Sequence, residues 1–310
     1  MALRLRPSCH HHPRRRFLHW AFALAVIASL TTIGSFSAEA GVASAAPLHS
    51  GSVDVLYAGS LLDLMEHAID PAFHKATGYT VVGVSNGSSA LASEIQGGTE
   101  VGDVFLSASP SADTTLQGRA NGDWVDTYKE FATSQLVLGY NRASPFAHAL
   151  RTQPWYDVVT RPDFLLGRTD PATDPKGVLA VDALTGVALS YGVPALATLA
   201  TSTSNVFEET ALVGELQAGQ LDAGFFYAVE AAAAHLQTVA LVGTDLFGQY
   251  TVATLKGAPH RAAAQAFVAF LLSQAAKKIL AANGLTPLAH VPIFGPATAS
   301  TTSPVSTSTT

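Results

Sequence analysis

Thiols and positive charge are both scarce in this chain of 310 residues, which has one cysteine and 17 Lys+Arg against 23 Asp+Glu. The cysteine, Cys9, stands ahead of the one long apolar stretch, so nothing beyond about Ala46 can form a disulfide or do thiol chemistry. A lipid-anchor cysteine would follow that stretch, so no lipoprotein signal is present. Five arginines and one glutamate fall within the first 46 residues, which leaves a formal charge of −10 on the rest. That balance argues against nucleic acid or an anionic membrane surface as partner. It also means that any bound anion must be held by local donors, against the overall field. No H-E-x-x-H occurs, and His10-His11-His12 lies in the leader, so a zinc site has no support. His67, His74 and His260 read as surface or cap residues. No internal repeat is visible, and no cofactor or enzyme activity is expected.

The first segment has the parts of an export signal. Arginines at 4, 6, 14, 15 and 16 precede an apolar stretch from Phe17 to about Ile33, and small residues follow through Ala46. Arg14-Arg15-Arg16-Phe17-Leu18 resembles a twin-arginine motif, with a general signal as the alternative. The stretch is also close to the length of a membrane span, so cleavage near Ala46 and retention as an anchor both stay open. A periplasmic or other extracytoplasmic location follows in either case. From 296 to 310 the chain is Ser, Thr, Pro and Ala, which cannot bury a core and is expected to be disordered.

Between these ends, short apolar runs alternate with helical stripes. Val53–Ala58 reads as a buried strand, Leu61–Lys75 as a helix, Thr80–Val84 as a strand, Ala90–Gln96 as a helix and Asp103–Ser107 as a strand. Phe131–Tyr140, Phe164–Leu166, Ala223–Tyr227 and Gln249–Leu255 read as further strands. Lys176–Tyr191, Val206–Gly219 and Pro259–Asn283 read as helices. This α/β order implies mostly parallel sheets flanked by helices. With 310 residues to place, two lobes are expected, lobe one at 53–134 and 247–295 and lobe two at 135–246, with a ligand cleft between them.

The candidate chemistry sits at strand-to-helix junctions. Ser60 and Ser88 each stand where a strand gives way to a helix, and a helix start offers unpaired N–H donors and partial positive charge that suit an anion. Either serine alone is accounted for as an ordinary N-cap, whereas two at one sheet edge point to a site. The loop from Thr169 to Gly177 leads into another helix start, with Asp174 as its natural N-cap and Lys176 just inside. Asn205-Val206 is read as opening a further helix. Tyr227 ends an apolar strand, where it is either a half-buried core aromatic or a hydroxyl facing the cleft.

Together these motifs resemble the periplasmic molybdate-binding proteins and their tungstate-binding relatives, which are solute-binding proteins of ABC transporters. The resemblance is carried by Ala58-Gly59-Ser60-Leu61, by Asn86–Ile95 followed by Gly102–Ala108, and by Ser134–Asn141, Asp170–Leu184, Gly224–Tyr227 and Lys256–Pro287. It implies a two-lobed periplasmic-binding-protein fold, a small oxyanion as ligand, an ABC permease as partner and a monomer. It implies hydroxyl and amide donors at Ser60 and Ser88, a backbone N–H at Val206, a hydroxyl at Tyr227 and a further backbone N–H near Lys176. Lys176 replaces a small residue of the family, so its ammonium either adds a bond or points to solvent. Archaeal tungstate-type members add carboxylates to the metal shell. Phe226 matches one such position and Asp174 lies where another would be, so the expectation is a tetrahedral anion held by hydrogen bonds alone. A donor-only pocket would reject hydrogen phosphate, whose proton needs an acceptor. Receptors for another oxyanion such as sulfate, or an exported hydrolase, are the rival readings.

Overall fold

The computed structural model describes residues 49–296. The leader at 1–46 lies outside them, as does the tail read at 296–310 apart from Pro296. Among the described residues, no helix is long and apolar enough to cross a membrane.

Among the described residues, eleven strands form one connected network: β1 (Ser52–Ala58), β2 (Thr80–Asn86), β3 (Val104–Ser107), β4 (Val125–Tyr140), β5 (Leu166–Thr169), β6 (Val206–Phe207), β7 (Ala223–Tyr227), β8 (Gln237–Ala240), β9 (Phe247–Leu255), β10 (Thr286–Pro287) and β11 (Ile293–Phe294). The main path runs β2-β1-β3-β9-β4-β7-β5-β6, and β8, β10 and β11 also pair with β4. The strands fall into two groups, each with a parallel set. In the first, β1 pairs parallel with β2 and β3. In the second, β5 pairs parallel with β6 and β7. Antiparallel pairing joins the groups: β9 lies along β3 and β4, and β4 continues onto β7 and β8. One long strand therefore serves both, with residues 125–135 facing β9 and 136–140 facing β7. A register shift between Glu130 and Ala132 bends it just before that handover.

The parallel register decides where the junctions fall. Ala58 pairs with Asn86, so the two strand ends are level and the residues two places on, Ser60 and Ser88, come out side by side. After β1 the chain turns through Gly59–Leu61 and stays helical to Thr77, with a widened turn at Met65–Ile69. Pro71 has no N–H to continue the regular ladder there, and the wider turn absorbs the mismatch. Leu61, Leu64, Met65, Ile69 and Phe73 are buried along this helix and form its core-facing stripe. Phe73 meets Phe267 edge-on with ring centroids 5.2 Å apart, which docks the closing helix Arg261–Leu271.

Two expectations need correction. The helix expected over 206–219 begins only at Leu212, and Val206 instead lies in β6, paired with Arg168. Its apolar residues have helical spacing, but Asn205 takes a left-handed φ of 55° and turns the chain into the edge strand. The helix expected over 259–283 is two, Arg261–Leu271 and Gln274–Ala282, because Ser273 leaves the helix and caps the second through Ala276 N–H. Trp124 and Trp155 each pack within one strand group. Trp155 donates to the Val242 carbonyl and meets Phe225, and Trp124 packs against the cluster around Leu56 and Phe105.

Candidate functional site

Ser60, Ser88, Asp174, Lys176 and Tyr227 are all buried and linked through a chain of contacts. Beginning in the first group, Ser60 Oγ hydrogen-bonds Tyr250 Oη at 2.9 Å, and the ring of Tyr250 meets that of Tyr227 edge-on at 5.8 Å. Ser88 Oγ accepts the Ala108 N–H at 3.0 Å, which leaves its own hydrogen free to donate. The helix Ser88–Gly97 opens against the second group, where its Ala90 N–H donates to the Thr173 carbonyl at 3.0 Å. On that side, Asp174 caps the helix Pro175–Tyr191 by accepting the Lys176 N–H at 3.2 Å.

Lys176 is fully buried, which removes the solvent-facing alternative. Its ammonium donates to Glu209 Oε1 at 3.1 Å and to both Glu230 oxygens at 2.7 Å. All three of its protons are thereby used, and its backbone N–H, the donor implied by the resemblance, is committed to Asp174. The expectation of a donor-only pocket is overturned as well, because Asp174, Glu209 and Glu230 bring carboxylate oxygens to the site. Phe226 is a core side chain of the second group whose ring lies 5.6 Å from Lys176 Nζ, so carboxylates come from elsewhere in the chain.

Burial dominates the electrostatics. It pushes the Glu209 carboxyl up to about 8, with Lys176 pulling the other way. It also raises Asp174 and Glu230, again opposed by Lys176. For Lys176 burial favours the neutral amine, but Glu209 and Glu230 outweigh it and hold the group cationic. The phenols of Tyr227 and Tyr250 are raised well above their usual range by burial, so both remain protonated donors. Among the described residues, Tyr227 Oη is buried here without a partner, while Thr169 lies close enough to Asp174 to work against the rise of its carboxyl pKa. Such atoms cost stability unless something else satisfies them. Beside this core, a cavity of about 320 Å³ opens between the groups, lined by Gly59, Ser60, Asp63, Glu66, Glu209 and Glu230 among others.

Val206 lies in the edge strand β6 instead of at a helix start. Glu209, three residues on, supplies the side chain that reaches the site. The sequence does contain one G-x-S-x-G spacing, Gly83 to Gly87, but Ser85 lies within β2 opposite Tyr57 instead of on the turn, and among the described residues no histidine bonds it. A hydrolase elbow is therefore not formed.

A family model described as bacterial extracellular solute-binding protein matches residues 53–286. The chain belongs to that family. Among curated relatives, the molybdate/tungstate-binding protein WtpA of Pyrococcus abyssi is 27% identical over 213 residues, covering 52% of this chain and 62% of that protein. WtpA of Thermococcus kodakarensis is also 27% identical, covering 52% and 60%. The chain thus spans about three fifths of the length of these solute-binding relatives. Among solved structures, the periplasmic molybdate-binding protein of Azotobacter vinelandii superposes with a TM-score of 0.58 at 19% identity, covering 76% of this chain and 98% of that one. The sulfate-binding protein SubI of Mycobacterium tuberculosis reaches 0.61 at 16% identity, covering 77% and 88%. At these identities the two structures establish the solute-binding fold and leave the ligand to the chemistry of the site.

Proposed function

We propose that this protein is an exported receptor that captures molybdate or tungstate in a cleft between two lobes, 53–134 with 247–295 and 135–246, and passes it to the permease of an ABC importer. The observation that carries this reading is the buried Tyr227 Oη, a protonated donor without a partner, beside the two level helix starts at Ser60 and Ser88. Hydroxyls from Ser88, Tyr227 and the Ser60–Tyr250 pair come from both lobes, so an anion that bonds them all favours the closed arrangement over the open one. The relatives named for molybdate and tungstate support the choice of anion. The carboxylates do not forbid it: with Glu209 held protonated up to about pH 8, that group is a donor at neutral pH.

Calorimetric titration tests the reading. Molybdate or tungstate should bind one per chain with a free energy of about −8 kcal/mol or better, and Tyr227→Phe should weaken binding roughly tenfold to a hundredfold, the worth of one hydrogen bond to a charged group. Equal binding of sulfate, or an unchanged affinity in Tyr227→Phe, would refute it. Phosphate belongs in the same series, because Asp174 Oδ2 offers its proton an acceptor that a donor-only pocket would lack.

A second reading of the bound state rests on Asp174 and Glu209. Both carboxylates stand at the site, and the family's tungstate-type branch enlarges the metal shell with such groups. X-ray absorption of the complex separates the two: four short metal–oxygen bonds for a hydrogen-bonded anion, and additional longer ones if carboxylates enter the shell.

A further inference from the structure

Two glycines immediately precede the two site serines, and neither is needed for its backbone conformation. Gly87 has φ −57° and ψ 137°, open to any residue, and Gly59 is not among the positive-φ positions. Each, however, lies flat against the opposite lobe. A Cβ on Gly87 would sit 2.3 Å from the Thr173 carbonyl oxygen and 3.2 Å from Asp174 Cβ. One on Gly59 would sit 1.6 Å from Glu209 Oε2 and 3.2 Å from Thr210 Cγ2. Lobe two touches lobe one at these points, and beside the first the Ala90 N–H to Thr173 carbonyl bond spans the gap.

We propose that Gly59 and Gly87 are the stops that set how far the lobes close, and thereby the size of the anion retained. This rests on the receptor reading for its ligand, but not for its geometry. The stops differ in hardness. Gly87 meets backbone that cannot yield, whereas Gly59 meets the far end of a glutamate that can swing aside. A methyl group at Gly87 therefore props the lobes apart, breaks the Ala90 bond and draws the Ser88 hydroxyl away from Tyr227. The same group at Gly59 displaces only the Glu209 carboxylate. A methyl group at Gly186, in the helix Pro175–Tyr191, would meet nothing within 4 Å, and that position serves as the control.

The test compares Gly87→Ala, Gly59→Ala and Gly186→Ala in the full chain by two readouts. The first is hydrogen exchange of the Ala90 amide without added anion, which reads closure directly. The second is calorimetry with molybdate and with sulfate. Gly87→Ala should accelerate Ala90 exchange and weaken molybdate binding by at least about tenfold. Gly59→Ala should fall between it and the control, and the ratio of molybdate to sulfate affinity should shift in both stop variants while the control keeps the wild-type ratio. Thermal melts establish that each variant is folded, and should Gly87→Ala fail to fold, Gly59→Ala carries the test, with a molybdate-to-sulfate ratio equal to that of the Gly186 control overturning the proposal. Ala90 protection equal to wild type in the folded Gly87 variant overturns the proposal, whichever anion is bound. If wild-type protein binds none of the anions while the Gly87 variant still exposes Ala90, the receptor reading fails and the closing stops stand.

Discussion

Replacing Lys176 by methionine keeps most of the side-chain volume but removes the one ammonium that faces Glu209 at 3.1 Å and Glu230 at 2.7 Å. With Glu209 held protonated up to about 8, the charge at stake near neutral pH is that of Glu230, which is nearly inaccessible to water and would be left without a counter-charge. Removing one partner of a buried pair typically costs about 3–5 kcal/mol. Proton uptake limits that cost: forcing one carboxyl with an ordinary pKa near 4.3 to stay neutral costs about 1.4 kcal/mol per pH unit above it. That amounts to about 4 kcal/mol at pH 7 and about 1 kcal/mol at pH 5. Urea denaturation of the variant should therefore show a large loss of stability at pH 7 that mostly disappears at pH 5. A loss that does not change with pH, or one below about 1 kcal/mol at pH 7, would refute the ion-paired burial of Lys176.

Ser88→Ala should lower stability by about 1–3 kcal/mol, because it strands the buried Ala108 N–H, whereas Ser60→Ala should cost less; thermal melts with calorimetry of binding separate the two effects. Asp103→Ala should be destabilising by several kcal/mol in urea titration, since this fully buried carboxylate accepts from the Asp54 N–H at 2.8 Å and the His260 N–H at 2.6 Å, tying β1 to the start of the closing helix. Asp113 is buried with its carboxyl raised to about 7, chiefly by burial. A raised acid pKa means the folded state holds the proton more tightly, so that stability is present below the unfolded value and declines as pH rises from about 4 to 7. Asp113→Asn should remove that decline, as read from denaturation midpoints at pH 5 and pH 8. Anion affinity should fall as pH passes about 8, where Glu209 loses its proton and becomes an added negative charge beside the ligand; calorimetry at pH 6.5 and 9 checks the sign.

Much of this arrangement is legible in the chain because short-range signals fix it. Val53–Ala58 and Ala223–Tyr227 are continuous apolar runs with clear breaks, and both are strands within a residue of where the run places them. Ser60, Ser88 and Asp174 are visible because strand ends and helix starts leave composition signals. The partners that decide the site's charge are not. Glu209 follows a non-periodic stretch and is buried only because the edge strand β6 carries it there. Glu230 looks like an ordinary first-turn acid of a short helix, and its burial depends on Lys176 arriving from 54 residues away. Tyr250 lies on a returning strand whose register against β4 no local pattern gives. The sequence signal that points to such groups is Lys176 itself, since a lysine in the first turn on the buried face of a helix, the face of Ala180, Leu184 and Val187, requires carboxylate partners.

The receptor reading requires that the groups meeting between the lobes choose one small dianion over its rivals. Equilibrium dialysis of the full chain against equimolar molybdate, tungstate, sulfate and phosphate, followed by elemental analysis, tests that choice most directly. About one molybdenum or tungsten atom per chain, with little bound sulfate, is the result the receptor reading expects. Protein that emerges with sulfate or phosphate in their place, or with no anion at all, would contradict it.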